Sequence, residues 1–86
     1  MGELSQLPNI GKKVEAQLNR AGISTFNQLS ELGSKQAWLY IKEIDDSACI
    51  HRLYALEGAI RGVKKSELPN IIKNDLREFY YYVNNK

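Results

Sequence analysis

The sequence has a single cysteine, a single histidine and no long hydrophobic run, and these shortages exclude several classes of protein. Cys49 alone cannot form an internal disulfide or supply a cysteine-rich zinc site. The longest uncharged apolar run, residues 37–41, is far below the roughly 20 residues that a membrane-crossing helix needs. The N-terminus has no apolar signal segment either. We therefore expect a cytoplasmic protein without a membrane partner.

An excess of charge is also lacking, because 12 basic and 10 acidic residues leave a net charge of only +2. This balance is too weak to identify a nucleic-acid-binding domain, which usually carries a clear basic excess. The hydrophobic content of 43% is enough for a modest core. We expect one globular domain over residues 1–86.

Helical periodicity runs along the chain, and no strand pattern competes with it. Thr25 and Gln28 are spaced as a capping box, and Asp45, Asp46 and Ser47 are predicted to cap the helix after them. The predicted fold is all-α, a small bundle of about five helices. After a first turn at about residues 2–6, these helices cover about residues 12–21, 25–32, 35–44, 48–63 and 69–83.

The helix predicted over residues 48–63 is the most apolar and is therefore expected at the centre of the bundle. Cys49 is expected to pack there as a small buried hydrophobic residue. Gly58 and Gly62 lie one turn apart, and each costs about 1 kcal/mol against alanine in a helix. The close approach of a neighbouring helix is the expected compensation.

The string Leu-Pro-Asn-Ile occurs twice, at residues 7–10 and 68–71. Gly11 follows the first copy, whereas a second isoleucine follows the other. Without the glycine, the second copy is predicted to be the proline-led start of a helix. Gly11 is thus the residue that distinguishes the first copy as a tight turn.

The stretch "LPNIGKKVEAQLNRAGI" resembles the helix-hairpin-helix motif, whose hairpin usually reads Pro-Gly-Ile-Gly followed by a basic residue. The resemblance implies that the hairpin turns its backbone amides toward a DNA phosphate, next to a helix N-terminus. The residues that would form this site are Asn9, Ile10, Gly11, Lys12 and Lys13. Asn9 replaces the first glycine; asparagine tolerates a left-handed conformation, but its side chain would stand near an approaching phosphate. Such hairpins also serve as packing elements within and between proteins.

A wider resemblance covers about residues 4–80. The segments "TFNQLSELGSKQAWLYI", "ACIHRLYALEGAIRGV" and "LPNIIKNDL", together with the hairpin stretch, resemble the C-terminal domain of the TfoX/Sxy family. Its most specific part is the segment "LYALEGAIRG" at residues 53–62. The resemblance implies a relation to bacterial regulators of DNA-uptake competence, thought to act with the cyclic-AMP receptor protein. Those proteins carry a further N-terminal domain, so a freestanding C-terminal domain is expected here.

Three successive tyrosines, Tyr80, Tyr81 and Tyr82, cannot all face the core of one helix, so at least one is expected at the surface. Exposed tyrosine is typical of protein interfaces, and stacking on single-stranded bases is the alternative. His51 and Cys49 face different sides of a helix, and no phosphate loop or metal-ligand spacing is present. We therefore expect no enzyme activity, cofactor, metal or small-molecule substrate.

The preferred functional hypothesis from the sequence is a regulatory protein–protein adaptor, with the three tyrosines as its contact and a homodimer as one form of partnership. The alternative is weak, sequence-independent DNA binding through the hairpin at residues 8–13. The two hypotheses differ in the side chains they need, since one depends on tyrosines and the other on lysines and backbone amides.

Overall fold

The computed structural model describes residues 2–85, which contain five α-helices and no strand. One 3₁₀ turn, Leu4–Gln6, precedes the first helix, and a second, Lys65–Glu67, precedes the last. The helices are α1 (Lys12–Arg20), α2 (Phe26–Leu32), α3 (Ser34–Ile44), α4 (Ile50–Arg61) and α5 (Asn70–Asn84). The prediction of an all-α fold with about five helices is confirmed. None of the helices in residues 2–85 is long and apolar enough to cross a membrane.

The predicted capping signals set both ends of α2. The Thr25 hydroxyl accepts the Gln28 N–H at 3.1 Å, and the Gln28 side chain accepts the Thr25 N–H at 3.2 Å. This reciprocal pair satisfies two N–H groups at the helix start that have no intrahelical acceptor. At the other end Gly33 has φ +89°, where a side chain would be strained. The chain therefore reverses there and starts α3 at once.

The start of α4 differs from the prediction. The Asp45 carboxylate does not cap α4, because its Oδ1 accepts the N–H of Ser47 at 3.0 Å and the Ser47 hydroxyl at 2.6 Å. These bonds close a local turn, and α4 begins only at Ile50, after Cys49 as its N-cap. Cys49 is exposed, so its predicted burial is wrong. Its carbonyl oxygen accepts the Trp38 indole N–H at 3.2 Å.

The core is built around Trp38, which is fully buried. The Phe79 ring meets it edge-on at 6.2 Å and the Tyr80 ring lies at 5.5 Å, so α5 is packed against α3 through aromatic contacts. Helix α4 contributes Leu53 and Leu56, both fully buried, and packs against α2, α3, α5 and the second 3₁₀ turn. This confirms the central position predicted for the helix.

Two polar contacts fix α1, whose N-terminus follows the hairpin. The buried Glu15 carboxylate accepts the N–H groups of Gly2 at 3.2 Å and Ser5 at 3.1 Å. Burial raises the pKa of Glu15, whereas these two N–H donors and the Ser5 side chain are among the groups that lower it, and the net shift is downward. Two residues further along α1, Gln17 donates to the Asp45 carboxylate at 3.0 Å. Helix α1 is thus tied both to the first 3₁₀ turn and to the loop before α4.

Candidate nucleic-acid interface

The hairpin between the first 3₁₀ turn and α1 bends at Asn9, which has φ +69°. Asparagine is one of the few residues other than glycine that adopt this left-handed conformation readily. The Ile10 N–H closes the turn on the Leu7 carbonyl at 3.3 Å, and the Ile10 side chain is buried. In this hairpin Asn9 therefore forms the bend at the position where the helix-hairpin-helix pattern has its first glycine.

The Asn9 side chain points into the protein and connects the hairpin to the loop after α4. Its Nδ2 donates to the Val63 carbonyl at 3.0 Å and the Ala55 carbonyl at 3.4 Å, and its Oδ1 accepts the Lys65 N–H at 3.1 Å. All of the polar atoms of this side chain are thus occupied by backbone groups. The Asn9 amide therefore holds the hairpin against α4 and the loop that follows it.

Gly58 makes this contact sterically feasible. A Cβ atom on Gly58 would lie 2.6 Å from Asn9 Nδ2 and 2.7 Å from the Val63 carbonyl oxygen, both shorter than any real Cβ contact. The predicted close approach at Gly58 is confirmed, but the approaching groups belong to the hairpin and a loop, not to a neighbouring helix. The same prediction for Gly62 is wrong. Gly62 ends α4 with φ +76°, and its position would have no neighbour within 4 Å of a Cβ.

The second Leu-Pro-Asn-Ile copy folds differently, although a 3₁₀ turn precedes both copies. Pro69 is the N-cap of α5 and Asn70 is already helical, which confirms the predicted helix start. Ile71 is 77% exposed, whereas the matching Ile10 is 5% exposed. The first copy forms a hairpin where α4 and its loop offer partners to the asparagine. The prediction that Gly11 makes the turn is wrong, because Gly11 has an ordinary φ of −94° and Asn9 has the left-handed conformation.

The N-terminus of α1 presents unoccupied backbone donors. Gly11 is the N-cap, with extended backbone angles, and the N–H groups of Gly11, Lys12 and Lys13 have no acceptor within residues 2–85. The Ile10 N–H, which the sequence placed among the phosphate donors, is occupied by Leu7. At the N-terminus of α1 itself, the unoccupied donors therefore begin at Gly11, at the positive end of the helix dipole.

Four lysines lie on this end of the molecule. Lys12 and Lys13 form the first turn of α1, and Lys64 and Lys65 lie on the loop that Asn9 holds. All four are exposed, and none forms an ion pair with a carboxylate in the part of the chain that is described. A groove of about 620 Å³ is lined by Pro8 and Asn9 of the hairpin and by residues 62–67, so it includes Lys64 and Lys65 and lies next to the segment that carries Lys12 and Lys13.

The tyrosine cluster is a separate surface. Tyr80 is half-buried against Trp38, Tyr81 packs on the Tyr80 ring at 5.7 Å, and Tyr81 and Tyr82 are 53% and 67% exposed. The expected exposure of at least one tyrosine is confirmed. Since a helix rises 1.5 Å per residue, Tyr81 lies about 16 Å along α5 from Asn70, which starts that helix beside the second 3₁₀ turn.

Comparisons with known proteins agree with this fold and with the segments described. The profile of the TfoX C-terminal domain matches residues 1–80. Protein Sxy of Escherichia coli (strain K12) is 34% identical over 76 residues, which make up 88% of this chain and 36% of Sxy. The chain thus spans little more than a third of the length of this curated relative.

Two crystal structures of Listeria monocytogenes proteins share the fold, and neither protein has a described function. An uncharacterized protein in a triclinic form is 46% identical with a TM-score of 0.92, over 94% of this chain and 92% of that one. A protein of unknown function in a tetragonal form is also 46% identical, with a TM-score of 0.87, over 91% and 96% of the two chains. The resemblance seen in the sequence is confirmed, and the chain belongs to the TfoX C-terminal domain family.

Proposed function

We propose that this domain is a non-catalytic regulatory module, related to TfoX-type regulators of competence and transcription, that contacts the phosphate backbone of duplex DNA through its hairpin. One observation carries the proposal. The Asn9 side chain bonds to the loop after α4, and within residues 2–85 the N–H groups of Gly11, Lys12 and Lys13 have no acceptor and belong to a segment with two exposed lysines. The sequence alone favours a protein partner, and this geometry favours DNA.

The chemistry of the hairpin suits a phosphate. Helix N-termini bind anions because their first N–H groups are unsatisfied and the helix dipole favours negative charge. Lys12 and Lys13 add two full charges, and neither forms an ion pair with a carboxylate within residues 2–85. None of these groups reads a base edge, so binding is independent of sequence. With only a few phosphate contacts, it is also weak and sensitive to salt.

The test is the fluorescence anisotropy of a labelled DNA duplex, titrated with the protein at low salt. Replacing Lys12→Gln together with Lys13→Gln removes two phosphate contacts and lowers the slope of log K against log salt by about 1.8, at about 0.9 per contact. A matched control is Arg20→Gln with Arg77→Gln, since both arginines are exposed and lie outside the hairpin and the groove.

The control removes the same net charge, and it is expected to leave the slope unchanged. An absence of binding by the wild-type protein at about 50 mM salt, where even few phosphate contacts are measurable, would overturn the proposal. An equal loss of slope in the control would show that the binding is only a response to net charge, and it would overturn the assignment to the hairpin.

A protein contact through Tyr80, Tyr81 and Tyr82 is the second candidate, and a different observation favours it. Tyr81 is exposed but rests on Tyr80, which is itself packed on the buried Trp38, so the exposed ring has a rigid support. Aromatic rings held in this way lose little entropy on binding. The homodimer form predicts concentration-dependent dimerisation in sedimentation equilibrium that Tyr81→Ala weakens. A monomer at all concentrations contradicts it.

A further inference from the structure

We infer that the DNA interface has a second arm, the loop at residues 62–65, and that Asn9 is the positioning residue that joins this arm to the hairpin. This inference rests on the proposed function and extends it in one respect. The hairpin alone contacts a phosphate with α1, whereas the two arms together form a clamp on the backbone of one duplex.

The first support is the direct connection between the arms. Three hydrogen bonds run from the Asn9 side chain to backbone groups of Ala55, Val63 and Lys65, which lie 46–56 residues away in sequence. Two of the three reach the loop itself. Because they bind main-chain atoms, they fix the position of the loop and leave the Lys64 and Lys65 side chains unbound.

The second support is charge. Residues 8–13 and 62–67 contain four lysines and one carboxylate, Glu67, so these two segments together carry a net charge of +3 against +2 for the whole chain. The Glu67 carboxylate accepts the Lys64 backbone N–H at 3.1 Å, so one of its oxygens is directed to the main chain of the loop. A positive surface with a groove between two arms is complementary to a polyanionic backbone.

The third support is distance. Asn9 Oδ1 lies 3.1 Å from the backbone nitrogen of Lys65. Consecutive Cα atoms are 3.8 Å apart, so Lys12 lies at most about 11 Å from Asn9 along the chain. By the same count Lys13 lies at most about 15 Å from Asn9, so both pairs of lysines are attached within about 15 Å of the residue that joins the two arms, and they can contact phosphates of one duplex.

The experiment compares the salt slope of duplex binding for the wild-type protein and for Lys64→Gln with Lys65→Gln. Loss of two contacts lowers the slope by about 1.8, so that between about 50 and 200 mM salt the wild-type affinity falls about 12-fold more than that of the variant. Both lysines are exposed and neither side chain forms an ion pair within residues 2–85, so the variant is expected to fold.

The role of Asn9 is tested with Asn9→Gly. Glycine tolerates φ +69°, so the hairpin survives while its side-chain link to the loop is lost. The slope of Asn9→Gly is expected to fall toward that of the Lys64→Gln, Lys65→Gln protein, although all of the lysines are present. Adding Lys64→Gln and Lys65→Gln to Asn9→Gly is then expected to change the slope little further. A general loss of stability would not produce this non-additivity.

The outcomes separate the two claims. If the wild-type protein binds DNA and Lys12→Gln with Lys13→Gln weakens it, but Lys64→Gln with Lys65→Gln does not, the second arm is refuted while the proposed function stands. If Lys64→Gln with Lys65→Gln lowers the salt slope, but Asn9→Gly keeps the slope of the wild-type protein, the positioning role of Asn9 is refuted. If the wild-type protein does not bind, both claims fail.

Discussion

Replacing Gly58 by alanine tests the packing that brings the hairpin to α4. In an ordinary helix interior this substitution stabilises by about 1 kcal/mol. Here the new methyl group would lie 2.7 Å from the Val63 carbonyl oxygen and 2.6 Å from Asn9 Nδ2. The carbonyl is main chain and cannot rotate away, so relief requires displacement of the loop and loss of the Asn9 hydrogen bond to Val63.

The magnitude follows from these opposing contributions. Overpacking costs about 1–3 kcal/mol, and the upper end applies because two contacts are affected. The lost hydrogen bond destabilises the fold by about 1 kcal/mol more, whereas the higher helix propensity of alanine stabilises it by about 1 kcal/mol. We expect a net loss of about 2–3 kcal/mol in the free energy of unfolding of Gly58→Ala. For a domain of this size that lowers Tm by about 10–20 °C.

Urea unfolding followed by circular dichroism measures this loss. Gly11→Ala is the control, because Gly11 has φ −94° and no atom within 4 Å of an added Cβ. It loses only the N-cap preference for glycine over alanine, at most about 1 kcal/mol. A Gly58→Ala protein as stable as the wild type, or more stable, would refute the close approach of Asn9 and Val63 to α4.

Two further predictions concern polar contacts elsewhere in the fold. The buried Ser34 hydroxyl donates to the Glu57 carboxylate at 2.6 Å, so Ser34→Ala is expected to cost about 1.5–3 kcal/mol in urea unfolding, and an unchanged midpoint would contradict it. Asp45 has a pKa lowered mainly by the Ser47 hydroxyl and N–H, and the pKa of Glu15 is also lowered on balance. Both carboxyls bind protons more weakly in the folded protein than in the unfolded chain, so their ionised forms stabilise the fold. This stabilisation is complete above the usual pKa values, 3.8 for Asp45 and 4.5 for Glu15, and it is lost as the pH falls below them. Asp45→Asn is expected to make the free energy of unfolding fall less steeply with decreasing pH below about pH 4, as measured by urea unfolding at several pH values. An unchanged dependence on pH would contradict the contribution of Asp45.

The sequence predicts the helices well because their ends are marked by local chemistry. Thr25 with Gln28 is recognisable from spacing alone, and Gly33 marks the junction of α2 and α3. The error at the start of α4 is also local. Asp45 can cap a helix or close a turn on Ser47, and both use the same carboxylate oxygen, so the sequence does not separate the two.

The candidate site was less predictable, because its decisive contact is between residues far apart. The hairpin itself is consistent with Asn9, which tolerates the left-handed conformation, but nothing near Asn9 in the sequence indicates that its amide pairs with Val63 and Lys65. Gly58 was the available signal, since a glycine inside an apolar helix pattern marks close approach of some group. The pattern does not indicate which group approaches, and the prediction of a neighbouring helix was wrong.

Because the residues of the candidate site are far apart in sequence, the net charge of the whole chain was a poor guide to its partner. A value of +2 describes the average over the chain, and by itself it argues against a nucleic-acid partner. The fold brings residues 8–13 beside residues 62–67, and together they carry +3, so the remainder of the chain carries −1. Since screening limits exposed charges to about 8–10 Å, a ligand at the groove responds to the local value. For a domain of this size, the charge that decides DNA binding is therefore set by which loops the fold brings together, and here Asn9 makes that connection.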